Sequence, residues 1–184
     1  GKVNLFFLPF LKNLFLNFEN VNNLDNKRID KIYHVGLPTN EKYIFLDRSI
    51  SSLSEKTNIQ IFIYGGSQGS INLNNILIEL LKNLPDVYFK KIKLIMQCPD
   101  DQKKYIENEL NNIGVDYKLK NFFEDINEII NSSDILVSRS GAGTIHDIIL
   151  SQIPSILVPI PHSIYNHQYY NAKLLFDKNA TELI

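Results

Sequence analysis

The feature that most constrains the fold of this 184-residue chain is a regular alternation of short apolar runs with amphipathic stretches, which begins near Ile59. The apolar runs have the length and residue types of buried strands. We predict strands at Gln60–Tyr64, Lys91–Gln97, Asp116–Lys120, Asp134–Ser138, Ser155–Pro159 and Thr181–Ile184. The stretches between them predict helices at Asn72–Leu84, Asp101–Asn112, Ile126–Asn131, Thr144–Ser151 and His167–Asp177. Strands that alternate with helices form βαβ units, and right-handed crossovers then give an α/β domain with a Rossmann-like, doubly wound parallel sheet.

Two of the predicted strands end in glycine-rich turns that lead into helices. The first turn is "GGSQGS" at residues 65–70, and the second is "SRSGAGT" at residues 138–144. Glycine lets the backbone approach a ligand closely, and a helix that begins there presents free N–H groups that suit phosphate. In a doubly wound sheet of order 3-2-1-4-5-6, strands one and four are neighbours at the ligand-binding crevice. Two turns at one crevice favour a diphosphate, although either turn alone is a common structural feature.

Neither turn matches two familiar nucleotide-binding motifs. The sequence "GGSQGS" lacks the Lys-Ser/Thr pair of a P-loop, which disfavours ATP hydrolysis. It also lacks the full GxGxxG spacing, and no acidic residue ends a matching second strand, which disfavours NAD. The sequence therefore points to a diphosphate ligand of another kind.

A third candidate region, "PIPHSIYNHQYYNAKLL" at residues 159–175, follows the fifth predicted strand. Its amide and imidazole side chains come from the same end of the sheet, at Asn166, His167, Gln168 and Asn171. Such groups suit a neutral ligand rich in hydroxyls, such as a sugar. The alternative is that Asn166 caps the following helix and that Asn171 is an ordinary surface residue.

The composition restricts the classes of function. A formal net charge of −1 provides no basic field for nucleic acid. The single cysteine, Cys98, rules out an internal disulfide and fits a reducing compartment, and no His and Cys spacing suggests a zinc site. The apolar run at residues 3–18 is interrupted by Pro9, Lys12 and Asn13 and is too short to span a bilayer. We expect a packed helix there, with an interfacial role as the alternative.

Together, the motifs "GGSQGS", "SRSGAGT" and "NHQYYNA" (residues 166–172) resemble those of the MurG family of GT-B glycosyltransferases. "GKVN" at residues 1–4 and "HVGLP" at residues 34–38 match more weakly, and the likeness runs in register along essentially the whole chain. The resemblance implies an inverting transferase that moves N-acetylglucosamine from UDP-N-acetylglucosamine to undecaprenyl-pyrophosphoryl-MurNAc-pentapeptide (lipid I). The product is lipid II of peptidoglycan synthesis. The resemblance also implies a peripheral location on the cytoplasmic face of the bacterial inner membrane, with no cofactor and no metal.

The resemblance assigns a UDP-N-acetylglucosamine site residue by residue. It implies that Asp147 binds the ribose and that the uracil edge is read, largely by backbone, near Phe123. It implies sugar contacts from Gln168, with His167 and Asn171 beside it. The two glycine-rich turns would contact the diphosphate through Ser67, Gln68, Gly69, Ala142, Gly143 and Thr144.

The chain departs from the family in three respects. Asp147 stands where the family usually has glutamate, one methylene longer, so longer or water-mediated ribose hydrogen bonds are expected. Asn40 stands where an arginine is usual, so no cation is inferred there. The "GGTGGH" loop of the family's first domain, with its catalytic histidine, is absent. We therefore expect residues 1–30 to be a remnant of the acceptor domain, and residues 31–184 to be a donor-binding domain truncated at its C-terminus.

These departures determine the expected activity. We expect no catalytic residue in this chain, because the family's general base belongs to the absent domain, and we expect the chain alone to be inactive. Lipid I would be bound through that domain. Two alternatives stay open. In the first, the chain is a nucleotide-sugar binding subunit that needs a separate catalytic partner. In the second, it is part of a GT-B transferase with another glycolipid acceptor.

Overall fold

The chain is described by a computed structural model. The described residues are 6–17, 32–36, 55–66, 71–161 and 166–184. They belong to two compact units, Gly1–Glu41 and Lys42–Ile184. The unit boundary lies later in the chain than residue 30, where the sequence analysis placed the domain boundary.

The first unit contains a short pair of parallel strands. A 3₁₀ turn at Leu8–Phe10 precedes β1 (Leu14–Leu16), and β1 pairs with β2 (Ile32–His34). The prediction of a packed helix in the N-terminal run is therefore wrong for residues 14–16. These residues form a strand because their backbone pairs with a segment distant in sequence, and a local hydrophobic pattern cannot reveal such a partner.

The second unit is a six-stranded, all-parallel sheet in the order β5-β4-β3-β6-β7-β8. Its strands are β3 (Ile59–Tyr64), β4 (Ile92–Gln97), β5 (Asp116–Lys120), β6 (Ile135–Ser138), β7 (Ser155–Leu157) and β8 (Glu182–Leu183). Its described α-helices are α1 (Ile71–Lys82), α2 (Asp100–Ile113), α3 (Ile126–Ser132), α4 (Ala142–Ser151) and α5 (His167–Phe176). A 3₁₀ segment at Asp86–Lys91 precedes β4. Counted from β3, the order is 3-2-1-4-5-6, so the predicted doubly wound sheet is confirmed.

The central strands of this sheet are buried on both faces. Phe62 and Ile63 point to opposite faces of β3, and both are fully buried. On β4, Leu94 and Ile95 also point to opposite faces of the sheet, and they are 0% and 7% exposed. Helix α1 contacts α2, and α4 contacts both α3 and α5. Burial on both faces is what a parallel sheet covered by two helix layers requires, and it leaves the strand ends as the place for a ligand.

Asp134 joins β3 and β6 at their amino ends, opposite the glycine-rich turns. Its backbone N–H donates to the Gln60 carbonyl over 2.8 Å, and its Oδ2 accepts from the Gln60 N–H over 2.9 Å. Oδ1 pairs with the half-exposed Lys56 ammonium. Because Asp134 is only 8% exposed, these bonds fix the register of the two strands whose far ends carry the turns.

We expect Asp134→Ala to lower the free energy of unfolding by about 1–3 kcal/mol, because the Gln60 N–H loses its acceptor in a site with little water. Lys56→Met removes only the ion pair and should cost below about 1 kcal/mol, since its ammonium is largely solvated. Urea unfolding followed by circular dichroism measures both. Equal losses in the two variants would show that the ion pair, and not the backbone contact, carries the effect.

Candidate functional site

A cavity of about 320 Å³ opens at the carboxyl ends of β3, β6 and β7. It lies where the strand order reverses, because the connections that follow β3 and β6 leave the sheet in opposite directions. The lining residues are Tyr64, Gly65, Gly66, Arg139, Gly141, Ala142, Gly143, Thr144, Asp147, Ile160, His167 and Gln168. The predicted crevice is therefore present, and residues of both glycine-rich turns line it.

The turn after β3 requires glycine at one position. Gly66 has a φ of +75°, a conformation that strains any residue with a side chain, and it lines the cavity. Three of the predicted diphosphate contacts, Ser67, Gln68 and Gly69, follow directly and lie outside the described residues. Their roles stay predictions.

The turn after β6 exposes the start of helix α4 to the cavity. Gly141 is the N-cap residue and has no side chain that could occupy the first N–H groups of the helix. Ala142 and Gly143 are exposed, Thr144 is 7% exposed, and all three line the cavity. Free N–H groups and the positive end of the helix dipole form a site that suits an anion. The three predicted contacts in this turn are thus brought together.

Arg139 places a buried positive charge in the same cavity. It is 6% exposed, and its Nη1 donates to the carbonyls of Val158 and Pro159 over 2.8 and 3.2 Å. Burial lowers the pKa of Arg139, and no carboxylate among the described residues acts on that pKa to offset the effect. The guanidinium nevertheless stays protonated at physiological pH. Within the part of the chain that the structure describes, only carbonyl dipoles balance this buried cation, which favours an anionic ligand.

Asp147 contributes a carboxylate on the next turn of α4. It lines the cavity and is partly buried. Tyr64, the last residue of β3, lines the cavity as well. Burial first, and the charge of Asp147 second, raise the pKa of the Tyr64 phenol. The phenol is therefore neutral at pH 7 and able to donate a hydrogen bond beside an accepting carboxylate.

Helix α5 is fastened to the turn after β6 by side chains. Ser140 Oγ donates to the Gln168 carbonyl over 2.8 Å, and Asn171 Nδ2 donates to the Ser140 carbonyl over 3.0 Å. Gln168 Oε1 accepts from the Ile160 N–H over 3.0 Å. These bonds hold His167 and Gln168 at the cavity wall, whereas Asn171 is not among the lining residues. With Oε1 occupied, the Nε2 amide of Gln168 is the group suited to meet a ligand.

Two other predicted residues lie elsewhere. Phe123 is 3% exposed and packs edge-on against Phe62, with ring centroids 5.5 Å apart, so it lies apart from the cavity lining. Its neighbour Phe122 is exposed. Asn166 adopts a left-handed conformation, and its side chain makes no capping hydrogen bond to α5. The capping alternative for Asn166 is therefore wrong.

Sequence reasoning missed Arg139 and Tyr64 as site residues. Tyr64 directly precedes Gly65 and Arg139 lies two residues before Gly141, so their position in the glycine-rich turns was a usable signal. Their burial and their shared cavity depend on the pairing of β3 with β6, in which Tyr64 lies opposite Ser138. The sequence pattern predicted that these two strands are neighbours, but it did not show which of the residues at their ends line the cavity.

Two kinds of feature are absent from the described residues. In that part of the chain no three His, Cys, Asp or Glu side chains are grouped closely enough to hold a metal ion. Among the same residues, no helix has both the length and the apolar character needed to cross a membrane.

Comparisons with known proteins agree with this geometry. The profile of the glycosyltransferase family 28 C-terminal domain matches residues 60–184. A Rickettsia bellii protein (strain RML369-C) named UDP-N-acetylglucosamine--N-acetylmuramyl-(pentapeptide) pyrophosphoryl-undecaprenol N-acetylglucosamine transferase is 32% identical over 185 residues. The match covers 98% of this chain and 51% of that protein. The Rickettsia felis protein of the same name is 33% identical over 189 residues, with coverage of 98% and 52%. The chain spans about half the length of the curated relatives it matches.

Solved structures show the same fold. The crystal structure of Acinetobacter baumannii MurG superposes with a TM-score of 0.73 at 22% identity, over 100% of this chain and 50% of that one. The glycosyltransferase of kitacinnamycin superposes with a TM-score of 0.58 at 16% identity, over 89% of this chain and 38% of that one. At these identities the likeness establishes the fold alone.

We expect Arg139→Met to weaken the binding of inorganic pyrophosphate by about tenfold or more, since a hydrogen bond to a charged group contributes about 1.5–3 kcal/mol. Lys104→Met, on the exposed face of α2, makes the same change in net charge away from the cavity and should leave binding unchanged. Isothermal titration of the folded variants measures both. Equal affinities of Arg139→Met and the unchanged chain would contradict a role for the guanidinium.

Proposed function

The chain belongs to glycosyltransferase family 28, and on this basis we propose that it is the donor-binding part of an inverting N-acetylglucosaminyltransferase. The donor is UDP-N-acetylglucosamine and the acceptor is lipid I, so the product is lipid II of peptidoglycan synthesis. The observation that carries the proposal is the cavity at the reversal of strand order. There a buried arginine and an uncapped helix start line the cavity, and a carboxylate lies one turn along the same helix.

Two kinds of groups in the cavity lining suit two chemical parts of UDP. The start of α4 and Arg139 supply donors and positive charge for the diphosphate. Asp147 is an acceptor for the ribose hydroxyls, and a carboxylate next to a diphosphate would repel it unless the two are kept apart by the ribose. We assign the Nε2 amide of Gln168 and the imidazole of His167 to the sugar, and Asn171 acts by tying helix α5, which carries both, to the turn after β6.

In the proposed reaction, the 4-hydroxyl of the acceptor attacks the anomeric carbon of the donor sugar and inverts it, and UDP leaves. Negative charge grows on the diphosphate as the glycosidic bond breaks. The start of α4 and Arg139 are already oriented toward that charge before reaction, so they stabilise the transition state without reorganisation. This chain therefore supplies leaving-group stabilisation and sugar positioning.

We assign the general base, lipid I binding and peripheral contact with the cytoplasmic face of the membrane to the other half of the enzyme. The curated relatives are about twice as long as this chain, and their printed name specifies a lipid-linked acceptor. On this proposal residues 1–30 belong to the acceptor domain, the chain alone is inactive, and no cofactor or metal takes part.

We expect the purified chain to bind UDP-N-acetylglucosamine and UDP saturably, and NAD not at all. Asp147→Asn should reduce the affinity for both uridine ligands by about tenfold, because a neutral amide replaces the carboxylate that accepts charge-assisted hydrogen bonds from the ribose. Asp101→Asn, on the exposed first turn of α2, is the matched control and should bind like the unchanged chain. Calorimetric titration measures all of these. Binding of NAD with an affinity equal to that of UDP would contradict the assigned ligand.

The acceptor is tested with the complete protein. We expect it to transfer N-acetylglucosamine from the radiolabelled donor to a lipid I analogue, and we expect Arg139→Met to reduce kcat about tenfold or more because charge on the leaving diphosphate is stabilised less. Scintillation counting of extracted lipid measures the product. Transfer to another glycolipid but none to lipid I would contradict the proposed acceptor and would not affect the proposed donor.

A further inference from the structure

Tyr64 is a rigidly held phenol at the mouth of the cavity. Its ring stacks on that of Phe62 with centroids 5.6 Å apart and planes inclined by 22°. Phe62 is fully buried and is itself packed edge-on by Phe123. The row of three rings fixes the ring of Tyr64 before any ligand arrives, so a hydrogen bond from its hydroxyl costs little side-chain entropy.

The hydroxyl of Tyr64 is a donor without a described acceptor. Tyr64 and Asp147 line the same cavity, close enough for the carboxylate charge to act on the phenol. Within the described residues, no hydrogen bond from the phenol is found, and its acidity is affected only by burial and by Asp147. A donor held by ring packing and a carboxylate acceptor therefore line one cavity.

We propose that Tyr64 and Asp147 act as a pair that binds the vicinal diol of the ribose. The Tyr64 hydroxyl donates a hydrogen bond to one ribose oxygen, and the Asp147 carboxylate accepts a hydrogen bond from a ribose hydroxyl. This assignment rests on the proposed function, which supplies the ribose. Tyr64 is thereby a specificity-determining residue for the donor nucleotide.

The chemistry of a diol explains why the pair is needed. A carboxylate only accepts hydrogen bonds, whereas each ribose hydroxyl both donates and accepts. With Asp147 alone, the accepting lone pairs of the ribose oxygens would stay unpaired in a partly buried site. Tyr64 supplies the missing donor from the neighbouring strand end. A nucleotide that lacks the hydroxyls would offer no acceptor to the Tyr64 hydroxyl and no donor to the Asp147 carboxylate, so the pair selects ribonucleotides.

The test compares UDP with 2′,3′-dideoxy-UDP on the unchanged chain and on Tyr64→Phe, which keeps the ring and removes only the hydroxyl. We expect Tyr64→Phe to reduce the affinity for UDP by about five- to tenfold, which is the usual effect of one lost hydrogen bond. The affinity for 2′,3′-dideoxy-UDP should fall by less than about twofold. Tyr105→Phe, on the exposed face of α2, makes the same chemical change outside the cavity and should alter neither affinity.

The outcomes separate this inference from the proposed function. Unchanged UDP affinity in Tyr64→Phe would overturn the pair. An equal loss for both ligands would overturn it too, because the hydroxyl would then act through the fold or through Asp147 and not through the diol. Failure of the unchanged, folded chain to bind UDP would count against the proposed function. A thermal melt of each variant confirms that it is folded.

Discussion

The pairing of β3 with β6 is the contact on which the rest of the site depends. It joins two strands that are distant in sequence, with Tyr64 opposite Ser138 at their carboxyl ends, and Asp134 fixes the register at the other end. The connection after β3 runs to β4 on one side, and the connection after β6 runs to β7 on the other, so no crossover covers the ends of this pair. The crevice follows from topology before any side chain is considered.

Polar groups buried around the crevice turn this space into a site of fixed geometry. Ser140, Gln168 and Asn171 hydrogen-bond with one another and with the backbone, so the turn after β6 and the start of α5 cannot move independently. Arg139 makes the same connection to the chain after β7 through the Val158 carbonyl. The side chains that hold the walls thus also define the ligand's surroundings. Such preorganisation lets the dipoles act on a developing charge without a cost of reorientation.

The sequence predicted the main sheet well because its signal is local and repeated. The predicted β3 starts one residue late and its end at Tyr64 agrees, and the predicted strand Asp116–Lys120 is found with identical bounds. Prediction was wrong for residues 14–16, whose strand depends on a distant partner. It missed Arg139 and Tyr64 although it predicted that their strands are neighbours, because the burial of a particular side chain is set by tertiary packing. Glycines were visible because backbone geometry restricts them directly.

The overall charge of the chain makes the local arrangement decisive. With a formal net charge of −1, long-range attraction does not favour an anionic ligand. The attraction must come from Arg139 and from the first N–H groups of α4, which lie at the cavity wall. Arg139 is almost fully buried, so salt screens its charge far less than that of an exposed lysine. Asp147, on the same helix, opposes any anion that moves away from these donors. On the proposed function, the two charges orient a ligand that is anionic at one end and hydroxylated at the other, and recognition depends on these local groups more than on the field of the whole protein.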